Sequence, residues 1–164
     1  MTIAQLNALE PDAFITTLGD IFEHSPWVAR GALPSRPFAS LEDLHAAMCA
    51  VMRAASRDQQ LELIRAHPEL AARAQMSADS VSEQRGAGLD QLTPDEHARL
   101  LELNAAYRAK FGFPFILAVK GKDKNDIRAA LEERVHNDLE TEFQTALAQI
   151  ERIAWFRLEA LVAD

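Results

Sequence analysis

Apolar side chains recur every three or four residues along most of the chain, which is the spacing that places them on one face of a helix. After Pro11 this spacing joins Phe14, Leu18, Ile21 and Phe22, and after Ser40 it joins Leu44, Met48, Val51 and Met52. Ser40 is also a residue type that caps helices, and Glu42 and Asp43 place negative charge in the first turn, where the helix dipole favours it. The pattern predicts helices rather than strands.

Prolines divide this pattern into separate elements. Residues 2–9 form a short first helix, Pro26 opens a further helical turn, and residues 30–39, which contain one glycine and two prolines, form a loop. Residues 59–66 form another helix. It stops at the His67-Pro68 step, because proline pushes the residue before it out of the α region.

The second half of the chain begins with a clear helix start. Thr93-Pro94-Asp95-Glu96 combines a capping residue, a proline at the first helical position and a glutamate that completes a capping box. The helix that follows should end near Gly112. After a charged turn at residues 121–125, helical spacing runs from Asp126 onward, and the pattern Asn137-Asp138-Leu139-Glu140 predicts a break within it.

One run differs from the helical pattern. Phe113–Val119 has the length and β-branched content of a strand, yet no second strand is available to pair with it. We therefore expect a buried extended segment whose backbone groups bind partners other than a sheet, and a ligand is one candidate. The predicted fold class is all-α, a single compact bundle of roughly eight helices with one buried extended segment, Phe113–Val119.

The composition agrees with one helical domain over residues 1–164. The chain has 164 residues, 48% of them hydrophobic, and a chain of this length buries about two-thirds of its unfolded surface. The formal net charge of −8 argues against a protein that binds nucleic acid through the phosphate backbone. No apolar run approaches the ~20 residues that span a membrane, and neither a secretory nor a peroxisomal signal is visible, so the predicted location is cytoplasmic.

Several common kinds of site find no support in the sequence. Cys49 is the only cysteine, so no internal disulfide can form, and its apolar helical setting indicates an inert thiol. The histidines lack metal-ligand spacing, and no serine has the surroundings of a hydrolase nucleophile. No strand precedes Gly86 and Gly88, as a phosphate-binding loop would require. Neither a metal nor a cofactor is predicted.

Three groups of residues could carry chemistry, and each also has a purely structural interpretation. His67 lies at a helix end, where an imidazole faces a cleft more readily than in mid-helix, but it could equally be a hydrogen-bonded helix terminus. Ser80 and Glu83 have the spacing of a capping box that would serve only their own helix. Arg157 lies among apolar residues and needs a partner, either a structural carboxylate or an anionic ligand.

Several segments are similar, in the same order, to those of one known family. They are Phe22-Glu23-His24-Ser25-Pro26-Trp27-Val28-Ala29, His67-Pro68-Glu69-Leu70, Ser80-Val81-Ser82-Glu83-Gln84 with Ala87-Gly88-Leu89-Asp90, Leu103-Asn104-Ala105-Ala106-Tyr107 with Lys110-Phe111-Gly112-Phe113-Pro114-Phe115, and Ile153-Ala154-Trp155-Phe156-Arg157-Leu158. Each motif alone is short, but the ordered set is specific. It resembles the 2-oxo-4-hydroxy-4-carboxy-5-ureidoimidazoline (OHCU) decarboxylases of urate degradation.

The resemblance implies an all-α, cofactor-free homodimer that converts OHCU, a small ureidoimidazoline, to (S)-allantoin and carbon dioxide. His67 matches the family's catalytic histidine, the proton donor, and we expect Glu83 to act with it by holding the substrate's hydroxyl group and ring. The positions that match substrate-binding residues are Pro68, Ser80, Gln84, Arg157 and the segment Phe115, Ile116, Leu117, Ala118 and Val119, whose backbone would bind the ring's amide edge.

Two other functions compete with this interpretation. A non-catalytic helical module that binds a partner helix in an apolar groove would explain the amphipathic helices and the acidic surface. It would not explain why the His67, Glu83 and Phe113 motifs occur together in one order. A protein of the same kind that acts on another ureido or carboxylated heterocycle is the second alternative.

Overall fold

The computed structural model describes residues 1–70, 83–89 and 91–163, and the regular secondary structure of these residues is entirely helical. The α-helices whose two ends both lie within these ranges are α1 (Ile3–Ala8), α2 (Pro11–Leu18), α3 (Pro26–Ala32), α4 (Leu41–Ala54), α5 (Arg57–Ala66), α6 (Pro94–Phe111), α7 (Lys124–Arg134) and α8 (Leu139–Leu161), and a 3-10 turn covers Leu33–Ser35. The predicted all-α fold class is confirmed. None of the helices within these ranges is both long enough and apolar enough to cross a membrane.

The chain divides into two compact units, Met1–Ala66 with Glu151–Asp164, and His67–Ile150, which we call unit 1 and unit 2. Helices α1 to α5 belong to unit 1, and α6 and α7 belong to unit 2. The division falls within α8, whose residues up to Ile150 belong to unit 2. A single domain over residues 1–164 stays a prediction.

The core of unit 1 contains most of the apolar positions that the spacing singled out. Its buried residues include Phe14, Leu18, Leu44, Met48 and Met52. The chain after the 3-10 turn is tied to α1, because the Asn7 amide donates to the Phe38 carbonyl at 2.9 Å and accepts from the Phe38 N–H at 2.8 Å. Arg36 donates to the Leu9 carbonyl at 2.7 Å, which satisfies one of the carbonyls left open at the end of α1.

Local capping chemistry sets the helix starts as predicted. The Ser40 hydroxyl accepts from the Asp43 N–H at 3.1 Å at the start of α4. At the start of α6, the Thr93 hydroxyl accepts from the Glu96 N–H at 3.2 Å and the Glu96 carboxylate accepts from the Thr93 N–H at 2.9 Å. Gly112 ends α6 with a φ of 78°, the left-handed conformation that favours glycine. The predicted break between α7 and α8 is also present.

Three predicted boundaries in the N-terminal part of the chain are wrong. Helix α5 begins at Arg57, two residues before the predicted start at residue 59. Helix α2 ends at Leu18, and Ile21 and Phe22 lie in the turns that follow, although both are buried. Burial in a turn selects the same residue types as burial on a helix face, so the apolar spacing continued past the helix end. Residues 30–39 are not wholly a loop, because α3 runs to Ala32 and passes directly into the 3-10 turn.

Phe113–Val119 is confirmed as a buried segment that is neither helix nor strand, between α6 and α7. The rings of Phe113 and Phe115 pack edge-on against Tyr107, with centroids 6.1 Å and 5.4 Å from it. Edge-to-face aromatic pairs are worth about 0.5–1.5 kcal/mol each beyond the area they bury. These contacts fix the segment in the core of unit 2.

We expect Gly31→Ala to destabilise the protein, because α3 meets α4 there without room for a side chain. A Cβ at Gly31 would lie 2.6 Å from Cγ1 and 3.1 Å from Cγ2 of Val51. The β-branched valine has few rotamers into which it could withdraw. Overpacking of this kind costs about 1–3 kcal/mol, which urea denaturation of the variant and the wild type would measure.

Gly86→Ala is the matched control, because a Cβ at Gly86 meets nothing within 4 Å. It should leave the free energy of unfolding unchanged or raise it slightly, since alanine favours the helical conformation. The double variant Gly31→Ala, Val51→Ala should recover part of the loss. Equal stability of the Gly31→Ala and Gly86→Ala proteins would show that α3 and α4 do not approach this closely.

Candidate active site

His67 follows α5 directly, at the proline step where the sequence predicts the helix end, and it is buried, with 7% of its surface exposed. The turn that carries it is anchored to α6 by two contacts. The buried Asn104 amide donates to the Leu70 carbonyl at 2.9 Å. Arg108 donates to the Glu69 carboxylate at 3.3 Å. Since both contacts come from one helix, they hold the turn in a defined position within unit 2.

Residues 83–86 form a helical stretch that ends in a glycine-terminated turn. The Gly88 N–H donates to the Arg85 carbonyl and the Leu89 N–H donates to the Gln84 carbonyl, both at 3.0 Å. Gly88 has a φ of 80°, so this way of ending the helix requires glycine at that position. Gly88 therefore ends this helical stretch, and Gly86 lies in its last turn.

The polar side chains predicted in this region differ in exposure. Gln84 is buried and Glu83 is half-buried. Ser80 lies outside the described residues, and so does its predicted capping box with Glu83. Since buried amides are almost always hydrogen-bonded, the burial of Gln84 favours a defined orientation of its amide.

Side chains from α7 and α8 bind the backbone of the buried segment. Arg134 Nη1 donates to the Ile116 carbonyl at 2.7 Å, and Gln149 Oε1 accepts from the Ala118 N–H at 2.9 Å. Between them lies Leu117, which is buried and whose N–H and C=O bind no other described residue. The N–H and C=O of one planar trans peptide group point in opposite directions. The Leu117 N–H, which shares a peptide group with the Ile116 carbonyl, therefore points away from Arg134, and the Leu117 C=O, which shares one with the Ala118 N–H, points away from Gln149.

A buried ion pair supports this arrangement. The fully buried Glu142 carboxylate accepts from the Tyr107 hydroxyl at 2.6 Å, from Arg134 Nε at 2.9 Å and from the Asn137 amide at 2.8 Å. The Arg134 guanidinium also lies 4.4 Å from the centroid of the Phe115 ring, within the range of a cation–π contact. Burial and the hydrogen bond to Glu142 raise the pKa of Tyr107 well above its ordinary value, so the phenol stays a donor.

Arg157 lies in unit 1 and pairs with Glu23, a carboxylate that is not among the predicted site residues. Its Nη1 lies 2.8 Å from Glu23 Oε2, with 3% and 0% of the two side chains exposed, and donates to the Asp20 carbonyl at 3.0 Å. Of the two partners that the sequence left open, a structural carboxylate is present. One sequence feature could have indicated this partner. Glu23 is an acidic residue directly after Phe22, in a motif whose apolar residues are buried.

The predicted site residues fall into both units. Unit 2 contains His67, Pro68, Glu83, Gln84 and the segment Phe115–Val119, and unit 1 contains Arg157. Pro68 is half-buried, like Glu83. Their joint action on one substrate is a proposal that the sequence motivates.

The surroundings of Cys49 in unit 1 do not favour a nucleophile. Its Sγ lies 3.4 Å from His45 Nε2, which in turn lies 2.8 Å from the Glu151 carbonyl oxygen. Burial and, after it, the negative charge of Glu151 raise the pKa of the Cys49 thiol to about 12, so the thiol stays protonated at neutral pH. Among the described residues, no group of three His, Cys, Asp or Glu side chains could hold a metal ion.

Known proteins resemble this chain over nearly its whole length. Residues 7–159 match the OHCU decarboxylase family model. The 2-oxo-4-hydroxy-4-carboxy-5-ureidoimidazoline decarboxylase of Haloferax volcanii is 46% identical over 96% of this chain and 94% of its own length. The uric acid degradation bifunctional protein PucL of Bacillus subtilis is 49% identical over 99% of this chain, which spans only 33% of that protein. A crystal structure of (S)-allantoin synthase superposes with a TM-score of 0.83 at 36% identity, covering 99% of this chain and 54% of that chain.

We expect Glu23→Ala to lower the free energy of unfolding by about 3–5 kcal/mol, because it leaves the buried Arg157 charge without its carboxylate. Glu102→Ala is the matched control, since Glu102 is 72% exposed and pairs with Arg99 at 3.1 Å on the surface. That change should cost less than about 1 kcal/mol. Urea denaturation measures both variants, and equal losses would show that the Glu23 pair is not desolvated.

Proposed function

Because this chain belongs to the OHCU decarboxylase family, we propose that it removes the carboxylate of OHCU and releases (S)-allantoin and carbon dioxide. A member of this family is a carboxy-lyase of urate degradation. The observation that carries the proposal is the family match over residues 7–159, together with the 46% identity to a decarboxylase of nearly the same length. The bifunctional relative carries uric acid degradation in its own name.

The substrate's structure explains how the reaction proceeds without an added electron acceptor. OHCU carries a hydroxyl group and a carboxylate on one ring carbon, next to a carbon–nitrogen double bond. When the bond to the carboxylate breaks, its electron pair forms a double bond to the neighbouring carbon, and the electron pair of the C=N moves to the nitrogen, which takes up a proton. The neighbouring carbon is then protonated while the hydroxyl group loses its proton and becomes a carbonyl group of allantoin. The proposed enzyme is therefore cofactor-free, and its residues orient the substrate and deliver the proton to one face.

In this proposal His67 donates the proton. A histidine suits the task because its ordinary pKa, about 6.5, lies close to neutral pH. Glu83, together with His67, holds the hydroxyl group and the ring. The anchoring of the His67 turn through Asn104 supports this role, since a proton donor must be held in position to protonate only one face.

The backbone of Leu117 is the part of the buried segment that suits the ring's amide edge. A cyclic amide places its C=O and N–H side by side, and one residue of an extended chain offers the matching N–H and C=O. Leu117 is buried and no other described residue binds these two groups, which makes them costly unless a partner is supplied. Bound substrate would supply that partner.

We assign Arg157 the task of orienting the anionic substrate. An arginine that bound the substrate's carboxylate with its full charge would oppose the loss of carbon dioxide. Such binding would stabilise the ground state more than the transition state. Its contact with the Glu23 carboxylate offsets part of that charge. The pair therefore suits orientation by directional hydrogen bonds. Pro68, Ser80 and Gln84 complete the proposed contacts.

The resemblance to the family also supports a homodimer as the working assembly. A cytoplasmic location is part of the same proposal, from the sequence alone. Neither the assembly nor the location enters the chemistry described above.

We expect His67→Ala to lower kcat by about 10²–10⁴-fold, the usual contribution of a positioned acid, and to change KM less. The allantoin formed should lose optical activity, because solvent can protonate either face. OHCU generated in situ from urate gives both readouts, the decay of substrate absorbance and the circular dichroism of the product. His136→Ala, at an exposed histidine, is the control. If His67→Ala still made (S)-allantoin at the wild-type rate, another group would be the donor.

We expect Arg157→Lys to raise KM about 3- to 10-fold, with a smaller change in kcat, because lysine keeps the charge beside Glu23 but loses the planar fork that orients an anion. Steady-state kinetics with OHCU measure both constants. Arg152→Lys, at an exposed arginine of the same helix, should change neither. Unchanged kinetics in both variants would remove Arg157 from the substrate contacts.

A further inference from the structure

We propose that Arg134 and Gln149 are positioning residues that hold the buried segment so that Leu117 turns its N–H and C=O toward the substrate's amide edge. This inference rests on the proposed function, because it concerns the same substrate. Neither residue matches a motif that suggested a substrate contact, and neither needs to touch the substrate. Their effect passes through the peptide groups on either side of Leu117.

Arg134 fixes the direction of one of these peptide groups. Its guanidinium donates to the Ile116 carbonyl at 2.7 Å and to the Glu142 carboxylate at 2.9 Å, and lies 4.4 Å from the centroid of the Phe115 ring. Since the guanidinium is planar and rigid, it cannot rotate to follow the carbonyl without weakening the other two contacts. Only 11% of the Arg134 side chain is exposed. Water therefore has little access to the Ile116 carbonyl as a replacement donor.

Gln149 fixes the second peptide group. Its Oε1 accepts from the Ala118 N–H at 2.9 Å, from the side of α8. The Ala118 N–H and the Leu117 C=O belong to one planar trans peptide group and point in opposite directions. The same holds for the Ile116 C=O, which binds Arg134, and the Leu117 N–H. The two bonds therefore hold the Leu117 N–H pointing away from Arg134 and the Leu117 C=O pointing away from Gln149.

Such a backbone favours binding for two reasons. A cyclic amide and Leu117 would form two hydrogen bonds at once, and both weaken when the peptide plane rotates, because hydrogen bonds depend on direction. A backbone that is already fixed also loses no conformational freedom when the substrate binds. Loss of either fixing contact should therefore appear in KM rather than in kcat, since the amide edge is not the part of the ring that reacts.

The Gln149 contact is tested by two variants of similar size. Gln149→Met removes the acceptor and should raise the KM for OHCU about 3- to 10-fold, with kcat within about twofold of the wild type. Gln149→Glu keeps an acceptor oxygen and should restore the KM. Gln144→Met, at an exposed glutamine of the same helix, should have no effect. Amide hydrogen exchange at Ala118 should be slow in the wild type and in Gln149→Glu, and fast in Gln149→Met.

The Arg134 contact is tested against a control that weakens the same network but keeps an aromatic ring packed against the segment. Arg134→Lys keeps a positive charge beside Glu142 but cannot bind the carboxylate and the Ile116 carbonyl with one planar group, so KM should rise by a similar factor. Tyr107→Phe removes one donor to Glu142 and leaves the Arg134 bond to Ile116 in place. It should lower the melting temperature and leave KM unchanged.

The outcomes separate the two proposals. A wild-type protein that leaves OHCU unchanged overturns the proposed function, and this inference with it. An active wild type in which Gln149→Met and Arg134→Lys keep the wild-type KM, although exchange at Ala118 shows that the Gln149 bond is lost, overturns the inference alone. A Tyr107→Phe protein whose KM rises as much as that of Arg134→Lys also overturns it, because general loosening of the network would then account for both.

Discussion

Burial of the Glu142 carboxylate is the constraint on which the arrangement of unit 2 depends. An ion taken out of water costs several kcal/mol unless its charge and its lone pairs are both satisfied. The donors to Glu142 come from three places in the sequence: Tyr107 on α6, Arg134 at the end of α7, and Asn137 before α8. Because all three must meet at one carboxylate, they fix the helix ends that carry them. The buried segment Phe113–Val119 then has to pass between α6 and α7 within reach of Arg134.

Unit 1 meets the same requirement with the pair of Glu23 and Arg157. Glu23 lies in the turns that follow α2, where the apolar spacing wrongly predicts that the helix continues. Arg157 binds both the Glu23 carboxylate and the Asp20 carbonyl, so one guanidinium stabilises this non-helical turn at two points. His24, beside it, has a φ of 47°, a conformation that persists outside glycine only where surrounding contacts hold it. The ion pair is thus a reason why the helix stops early.

The parts of the fold that depend on neighbouring residues could be predicted from the sequence, and the parts that depend on distant ones could not. The Thr93 capping box and the helix end before Pro68 follow from local backbone chemistry, and both are present. The buried segment is predictable because the sequence offers no second strand to pair with it. Glu23, Arg134 and Gln149 were missed, since nothing within a few residues of them shows that each meets a buried charge or a backbone group far along the chain. Family resemblance identifies His67 as a candidate because a motif gives the identity of a residue. A motif does not show which distant residues position that residue.

A reaction of the proposed kind places its main demand on orientation. The substrate supplies its own electron sink, so the protein's contribution is the fixed direction of a few donors and acceptors rather than an unusual reactive group. In a segment that is not part of a sheet, the direction of the backbone N–H and C=O groups has to be fixed by side chains. In Phe113–Val119 the side chains that bind the backbone are those of Arg134 and Gln149. An arginine that is itself held by a buried carboxylate gives a stiffer support than a solvated side chain, because moving it would separate a buried ion pair. Affinity for the substrate would then depend on Glu142, which acts on Leu117 through Arg134 and the Ile116 carbonyl.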